Sequence, residues 1–211
     1  MFENLRKSFI DFEWHAICHK TDFNLVNVQK INPSYIFIPH WSYMIPSEIY
    51  ENYTCIVFHM TDLPYGRGGS PLQNLIVRKH QNTKISALKV EKEIDAGPIY
   101  LKRELDLTGT AQAIFERMNP IIEGMIREII LDKIIPQRQE GEITTFKRRT
   151  PEEGNLSQLQ SIEEIYDYIR MLDAEGYPSA FLETDYFKFE FTKANPIGEN
   201  ELEAYVRIIK K

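Results

Sequence analysis

The chain has little sulfur, little basic charge and no long apolar run. Its two cysteines, Cys18 and Cys55, both sit in apolar strand-like contexts, so they read as buried thiols of a cytoplasmic protein rather than as a disulfide framework. Cysteine and histidine never gather at metal-ligand spacing, and no metal is expected. Acidic residues outnumber basic ones, 31 to 25. The resulting net charge of -6 argues against a general nucleic-acid binder, whose surface is usually basic. Apolar runs fall far short of membrane-spanning length, and Met1-Phe2-Glu3-Asn4 does not open like a signal peptide, so neither a membrane protein nor a secreted one is expected. Internal repeats and low-complexity tracts are also missing. What is present is ordinary globular material: 211 residues, 43% hydrophobic and 27% charged, enough for one large domain or a main domain with a small appendage.

Periodicity divides the chain. Phe2, Leu5, Phe9 and Ile10 predict a helix over 2–10, Trp14 to Cys18 a short strand, and Asn24 to Lys30 a helix stopped by Asn32-Pro33. The apolar run Tyr35 to Ile38 suits a strand buried on both faces. An aromatic loop, His40-Trp41-Ser42-Tyr43, leads to a short helix that Ser47 could cap. Strands follow at Thr54–Phe58, Lys84–Val90 and Ile99–Leu107, with a helix from Leu72 and an acidic loop at Glu91–Gly97. The longest helical signal runs from Thr108 to Lys133, where Pro120 should kink it or start a new helix. Strands alternating with helices predict an α/β fold with a mostly parallel sheet.

Composition shifts after Ile135. The polar stretch 136–154 reads as a linker between a main domain at 1–135 and a small α+β appendage at 155–211. Ser161 and Glu164 form the sequence signature of a capping box for a helix to Leu172. Ala180 to Thr192 reads as a hairpin turning at Thr184-Asp185, with Phe187, Phe189 and Phe191 expected in the core, and Ala204 to Ile209 as a last strand.

The stretch most suggestive of chemistry is Cys55 to Ile76. A histidine, His59, closes an apolar strand and opens a glycine-rich loop that leads into a helix. Open α/β sheets place ligands at such strand ends. Taken alone, His59 is more often a hydrogen-bonded core residue than a catalyst. The residues around it change that weighting. His59, Leu63, Pro64, Arg67, Gly68, Pro71 and Gln73, with Thr61 in place of a serine, stand at the spacings of the histidine-loop signature, and the segment resembles that of the N10-formyltetrahydrofolate-dependent formyltransferases. Glu93 to Ile99, with Asp95 and Gly97, resembles the family's aspartate loop, and Ile31 to Pro46 its strand and following loop.

The resemblance implies a Rossmann-like formyltransferase domain and formyl transfer from N10-formyltetrahydrofolate to an amine. That chemistry needs a proton acceptor and stabilisation of an oxyanion. By resemblance, His59 and Asp95 are the candidate catalytic residues, with Asp95 orienting the imidazole. Tyr43, Met44, Ile45, Ile94 and Gly97 are the candidate folate contacts, and Thr61, Arg67, Gly68, Gln73 and Arg149 the candidate substrate contacts. The segments Thr145–Glu152, Ile165–Leu172 and Tyr177–Phe181 look like the post-linker part of sugar N-formyltransferases. The expected acceptor is therefore a nucleotide-linked amino sugar. A methionyl-tRNA formyltransferase-like enzyme is the alternative, and a homodimer is compatible with either. The sequence departs from the family in two places. Val57 stands where the family has an asparagine that donates to the oxyanion, so an impaired, binding-only relative is a further alternative, unless His40, Asn74 or a glycine-loop amide substitutes. The usual N-terminal strand also has no counterpart at the start of the chain.

Overall fold

The computed structural model describes residues 1–211. In chain order the elements are α1 (Phe2–Ser8), α2 (Leu25–Ile31), β1 (Ile36–Ile38), α3 (Ser47–Tyr50), β2 (Cys55–His59), β3 (Arg67–Gly68), α4 (Pro71–Val77), β4 (Asn82–Lys89), β5 (Ile99–Asp106), α5 (Ala111–Leu131), β6 (Thr145–Phe146), α6 (Ile162–Arg170), β7 (Ala180–Glu183), β8 (Phe187–Pro196) and β9 (Leu202–Lys210). Backbone contacts group them into two compact units. The first comprises residues 1–67, 84–104 and 118–145, the second 68–83, 105–117 and 146–211. The expected division at 135 and 154 is contiguous in sequence; these units are not.

The main sheet has the order β1-β2-β4-β5. It is mixed, with β1 and β2 parallel (Ile38 beside Val57) and β2 and β4 antiparallel (His59 beside Ser86). β2 is an interior strand, and Cys55, Ile56, Phe58 and His59 are all buried. A cluster of Phe23, Val28, Ile38, Ile49 and Cys55 packs beneath it, with Trp41, Ile45 and Val57 half-buried against it. Each fully buried aliphatic side chain there contributes about 1.5–3 kcal/mol. α2 begins as expected: the Asn24 side chain accepts from the Asn27 amide, and Asn32 closes the helix in the left-handed conformation.

The C-terminal appendage is present as an antiparallel sheet, β7-β8-β9, within the second unit. Its core holds Leu156, Ile169 and Ala180. Ser161 caps α6 by accepting from the Glu164 amide. The reciprocal half of the box is displaced by one residue, since the Glu164 carboxylate accepts from Gln160 N–H.

Six expectations are corrected. Residues 14–18 form no strand, because a strand needs a ladder partner and the edge strand β1 pairs only with β2. Trp14, His15, Ala16 and Ile17 instead line, with Tyr35, Phe37 and Ile126, a cleft of about 640 Å³. α5 runs unbroken through Pro120, its buried face of Ile114, Met118, Ile122, Met125 and Ile129 holding it together. Pro46, not Ser47, is the N-cap of α3. Cys18 is exposed, whereas Cys55 is buried and its thiol is pushed up to about 12 by loss of solvation. Phe187 is exposed on a terminal hairpin, and Phe189 and Phe191 are only half-buried. The polar stretch 136–154 is also more than a spacer: it holds β6, the buried Phe146 and a 3-10 turn at Pro151–Gly154.

Candidate active site

His59 occupies the carboxyl end of β2, in the first unit. Burial of β2 between two neighbours fixes the strand, so the imidazole is delivered to the sheet's end with little freedom. Its Nε2 lies 2.8 Å from the Gly66 carbonyl oxygen. A carbonyl only accepts, so Nε2 carries a proton and donates. The Thr61 hydroxyl donates to the same oxygen at 3.4 Å. The loop therefore folds back on the strand that feeds it, aided by positive φ at Gly66 and by the buried Leu63 beneath it. Ser86, opposite His59 on β4, donates to Thr61 O at 2.6 Å.

On its other side, His59 Nδ1 faces Asp95 Oδ2 at 3.5 Å. This exceeds an ordinary hydrogen bond, and the pair is ionic only when the imidazole carries a second proton. Asp95 sits in the left-handed region at φ 52, a conformation aspartate tolerates. Gly97 has a steric reason: a Cβ there would lie 1.9 Å from Lys89 O. Gly97 is thus required by the loop's close approach to β4.

Two groups of residues around these loops carry no mark in the sequence. Asp62, three positions beyond His59, is held by Lys84 at 2.9 Å and by Lys102, which also donates to Leu63 O. Burial alone would raise the Asp62 carboxyl, but its hydrogen bonds to Lys102 and Lys84 hold it below the usual aspartate range. Gln139, in the polar stretch, accepts from the Arg67 guanidinium. Neither group has a periodicity or motif that marks it.

The expected site residues separate into two sets. His59, Asp95, Thr61 and Gly97 lie on the two loops that meet at the imidazole. Arg67 belongs to the same loop but is engaged by Gln139. Ile94 is exposed on the aspartate loop, and Met44 is exposed on the aromatic loop. Tyr43, half exposed, packs edge-on to Trp41 at 5.5 Å and under Lys20 Nζ at 4.6 Å, while Ile45 packs on the hydrophobic cluster. Gly68 adopts φ 104. Gln73 and Arg149 belong to the second unit and are occupied there. Gln73 Nε2 donates to Met171 O at 3.1 Å, and Arg149 pairs with Glu153 beside the Tyr168 ring.

The Val57 side chain packs on the hydrophobic cluster and offers no donor. The substitutes the sequence suggests are already committed. His40 Nε2 is 3.1 Å from Asn119 Oδ1. Asn74 Nδ2 donates to Gly69, Ser70 and Lys147 carbonyls. The Gly66 and Arg67 amides both donate to Thr144 O, and the Gly69 amide to Phe146 O.

A histidine at a strand end opposed by a loop carboxylate is an arrangement chemically able to take up and pass on a proton. Comparison with known proteins narrows this. Residues 151–209 match the family model described as the methionyl-tRNA formyltransferase C-terminal domain. A solved structure titled methionyl-tRNA formyltransferase from Clostridium thermocellum is 50% identical, covers 99% of this chain and 94% of that one, and superposes with a TM-score of 0.93. The methionyl-tRNA formyltransferase of Campylobacter jejuni is 27% identical over 183 residues, which is 85% of this chain and 59% of the relative; the chain thus spans little more than half the length of that relative. The structure of HypX from Aquifex aeolicus in complex with tetrahydrofolic acid shares the fold at 17% identity, with a TM-score of 0.67, covering 82% of this chain and 31% of that one. The chain belongs to the formyltransferase family that includes the methionyl-tRNA formyltransferases.

Proposed function

We propose that this chain transfers a formyl group from N10-formyltetrahydrofolate to a primary amine, with His59 and Asp95 at the centre. The observation that carries the reading is the His59–Asp95 pair at the end of β2, in a chain half identical to a named methionyl-tRNA formyltransferase. The donor supplies a formyl carbon: a new carbon–nitrogen bond forms to the amine as the bond from the donor's N10 to that carbon breaks, and N10 leaves with the proton that the amine gave to His59. The aspartate loop offers the exposed apolar side chain of Ile94 as a face for a flat ring. Asp95 orients the imidazole and offsets charge on it when His59 accepts the amine's proton. The Nε2–H that now rests on Gly66 O is the donor His59 would turn to the formyl oxygen. With Val57 in place of a donor, turnover is slow; one missing oxyanion donor costs about 100- to 1000-fold.

The acceptor favoured is an aminoacyl group on tRNA, in line with the name of the half-identical relative and with the matched C-terminal domain. The nucleotide-linked amino sugar remains the second reading, favoured by the net charge of -6, which opposes docking on a phosphate backbone. The test is incubation with formyltetrahydrofolate and, separately, methionyl-tRNA and a panel of nucleotide-linked amino sugars, with products read by mass. Formylated methionyl-tRNA alone supports the first acceptor and a formylated sugar alone the second. No formylated product from any amine overturns formyl transfer.

A further inference from the structure

Gln139 touches both loops of the candidate site, although it lies in a stretch that reads as a linker. Its Oε1 accepts from Arg67 Nε at 3.1 Å and Nη2 at 2.8 Å. Its Nε2 donates to Asp95 O at 2.8 Å and to Gly97 O at 2.9 Å. Both amide protons and the carbonyl oxygen are thereby used. Arg67 directly follows Gly66, whose carbonyl holds His59 Nε2, and Asp95 carries the carboxylate facing His59 Nδ1. The contacts close a ring from His59 through Gly66, Arg67, Gln139 and Asp95 back to His59. The stretch bearing Gln139 is itself pinned on both sides. Gln137 exchanges two backbone hydrogen bonds with Ile99, and Thr144 O accepts from the Gly66 and Arg67 amides.

We propose that Gln139 is a positioning residue that sets the separation of His59 and Asp95, and that Arg67 acts through Gln139 rather than on the substrate. The chemistry selects an amide. Glutamate would accept from Arg67 but set its lone pairs against the Asp95 and Gly97 carbonyls. Lysine would donate to those carbonyls but repel Arg67. The inference rests on the formyl-transfer reading for its kinetic test, and an independent readout of the ring separates the two.

The experiment compares full-length wild type with Gln139→Ala, Gln139→Glu, Arg67→Ala, the Arg67→Ala/Gln139→Ala pair and Arg138→Ala, an exposed neighbour. It measures kcat and KM for formyl transfer and the ring nitrogen resonances of His59. Gln139→Ala and Gln139→Glu should each lower kcat by about 100-fold with KM little changed, the effect of misplacing a reacting group by about 1 Å. Arg138→Ala should match wild type. The double variant should be no worse than either single one, because both break the same link, and the His59 resonances should move alike in Gln139→Ala and Arg67→Ala. A kcat within about twofold of wild type, additive losses in the double variant, or a raised KM at unchanged kcat overturns the proposal. Should the alanine variant not fold, Gln139→Glu, equal in length, carries the same criteria. If wild type forms no product, formyl transfer fails, and the resonances decide alone: movement in folded variants sustains the positioning role, and unmoved His59 signals overturn it.

Discussion

Two buried or half-buried acids, one in each unit, are partnered in different ways. Asp167, in the second unit, is gripped by Arg170 Nε at 2.7 Å and Lys79 Nζ at 2.9 Å, and Arg170 spends another nitrogen on the Leu107 and Gly109 carbonyls. Asp95, in the first unit, meets His59 at 3.5 Å, while its backbone rather than its carboxylate takes the tight hydrogen bond from Gln139. The first arrangement saturates charge and fixes a fold. The second holds the chain firmly and keeps a titratable ring beside a carboxylate at a distance that can tighten. Catalytic pairs are often long before substrate arrives. Asp167 is thus held by two cations, whereas Asp95 faces a histidine whose charge depends on a proton.

The sharpest way to break that contrast is His59→Ala. Formyl transfer should fall by about 100- to 10,000-fold in a steady-state assay, the usual contribution of a positioned acid–base group. Survival of activity would remove the loose pair from the chemistry. Next, Arg170→Ala should lower stability by about 3 kcal/mol, the low end for breaking a buried pair, since Lys79 still faces Asp167. Urea unfolding with an unchanged slope would register it as a shifted midpoint. Val57→Asn tests the missing donor. Turnover should rise by about 100-fold while stability falls by about 1–3 kcal/mol, because the amide enters an apolar cluster. A stability loss with no gain in rate would mean that another group already serves the oxyanion.

The smallest effect concerns Asp62, whose native carboxyl titrates below its usual 3.8 because Lys102 and Lys84 outweigh the effect of burial. A depressed native value means the contribution to stability is fully present above the unfolded value and is lost as pH falls through the native one. Wild type and Asp62→Asn should therefore differ modestly at pH 7 in thermal unfolding. The gap should close below about pH 4, the ordinary aspartate range.

The sequence made much of this structure legible where local rules apply. The strands β1, β2, β4 and β5, the caps at Asn24 and Ser161, and the terminal hairpin follow from periodicity and turn chemistry. His59 and Arg67 stand at the spacings of one motif and Asp95 in a second matching block, and the fold brings His59 and Asp95 within 3.5 Å. Non-local facts were not legible. Trp14 to Cys18 has strand composition but no ladder partner, and composition cannot report a partner. Pro120 is absorbed because burial of the α5 face outweighs one lost hydrogen bond. Gln139 and Phe146 sit in polar surroundings without periodicity, and only the fold shows that one contacts both site loops and the other is buried. Gln73 matches the histidine-loop spacing and Arg149 lies in the post-linker segment, yet their contacts to Met171 O and Glu153 show only in the fold, because a matching spacing does not say which atoms a side chain meets.

The discontinuous make-up of the two units has a consequence for how this chain can be cut or inherited. It passes from one unit to the other at 67/68, 83/84, 104/105, 117/118 and 145/146. No single truncation yields either unit whole: a fragment ending at residue 135 keeps 68–83 and 105–117 but discards 146–211, the bulk of the second unit. Neither unit can therefore be transplanted as a module, and an intact version of one requires the other to be synthesised with it.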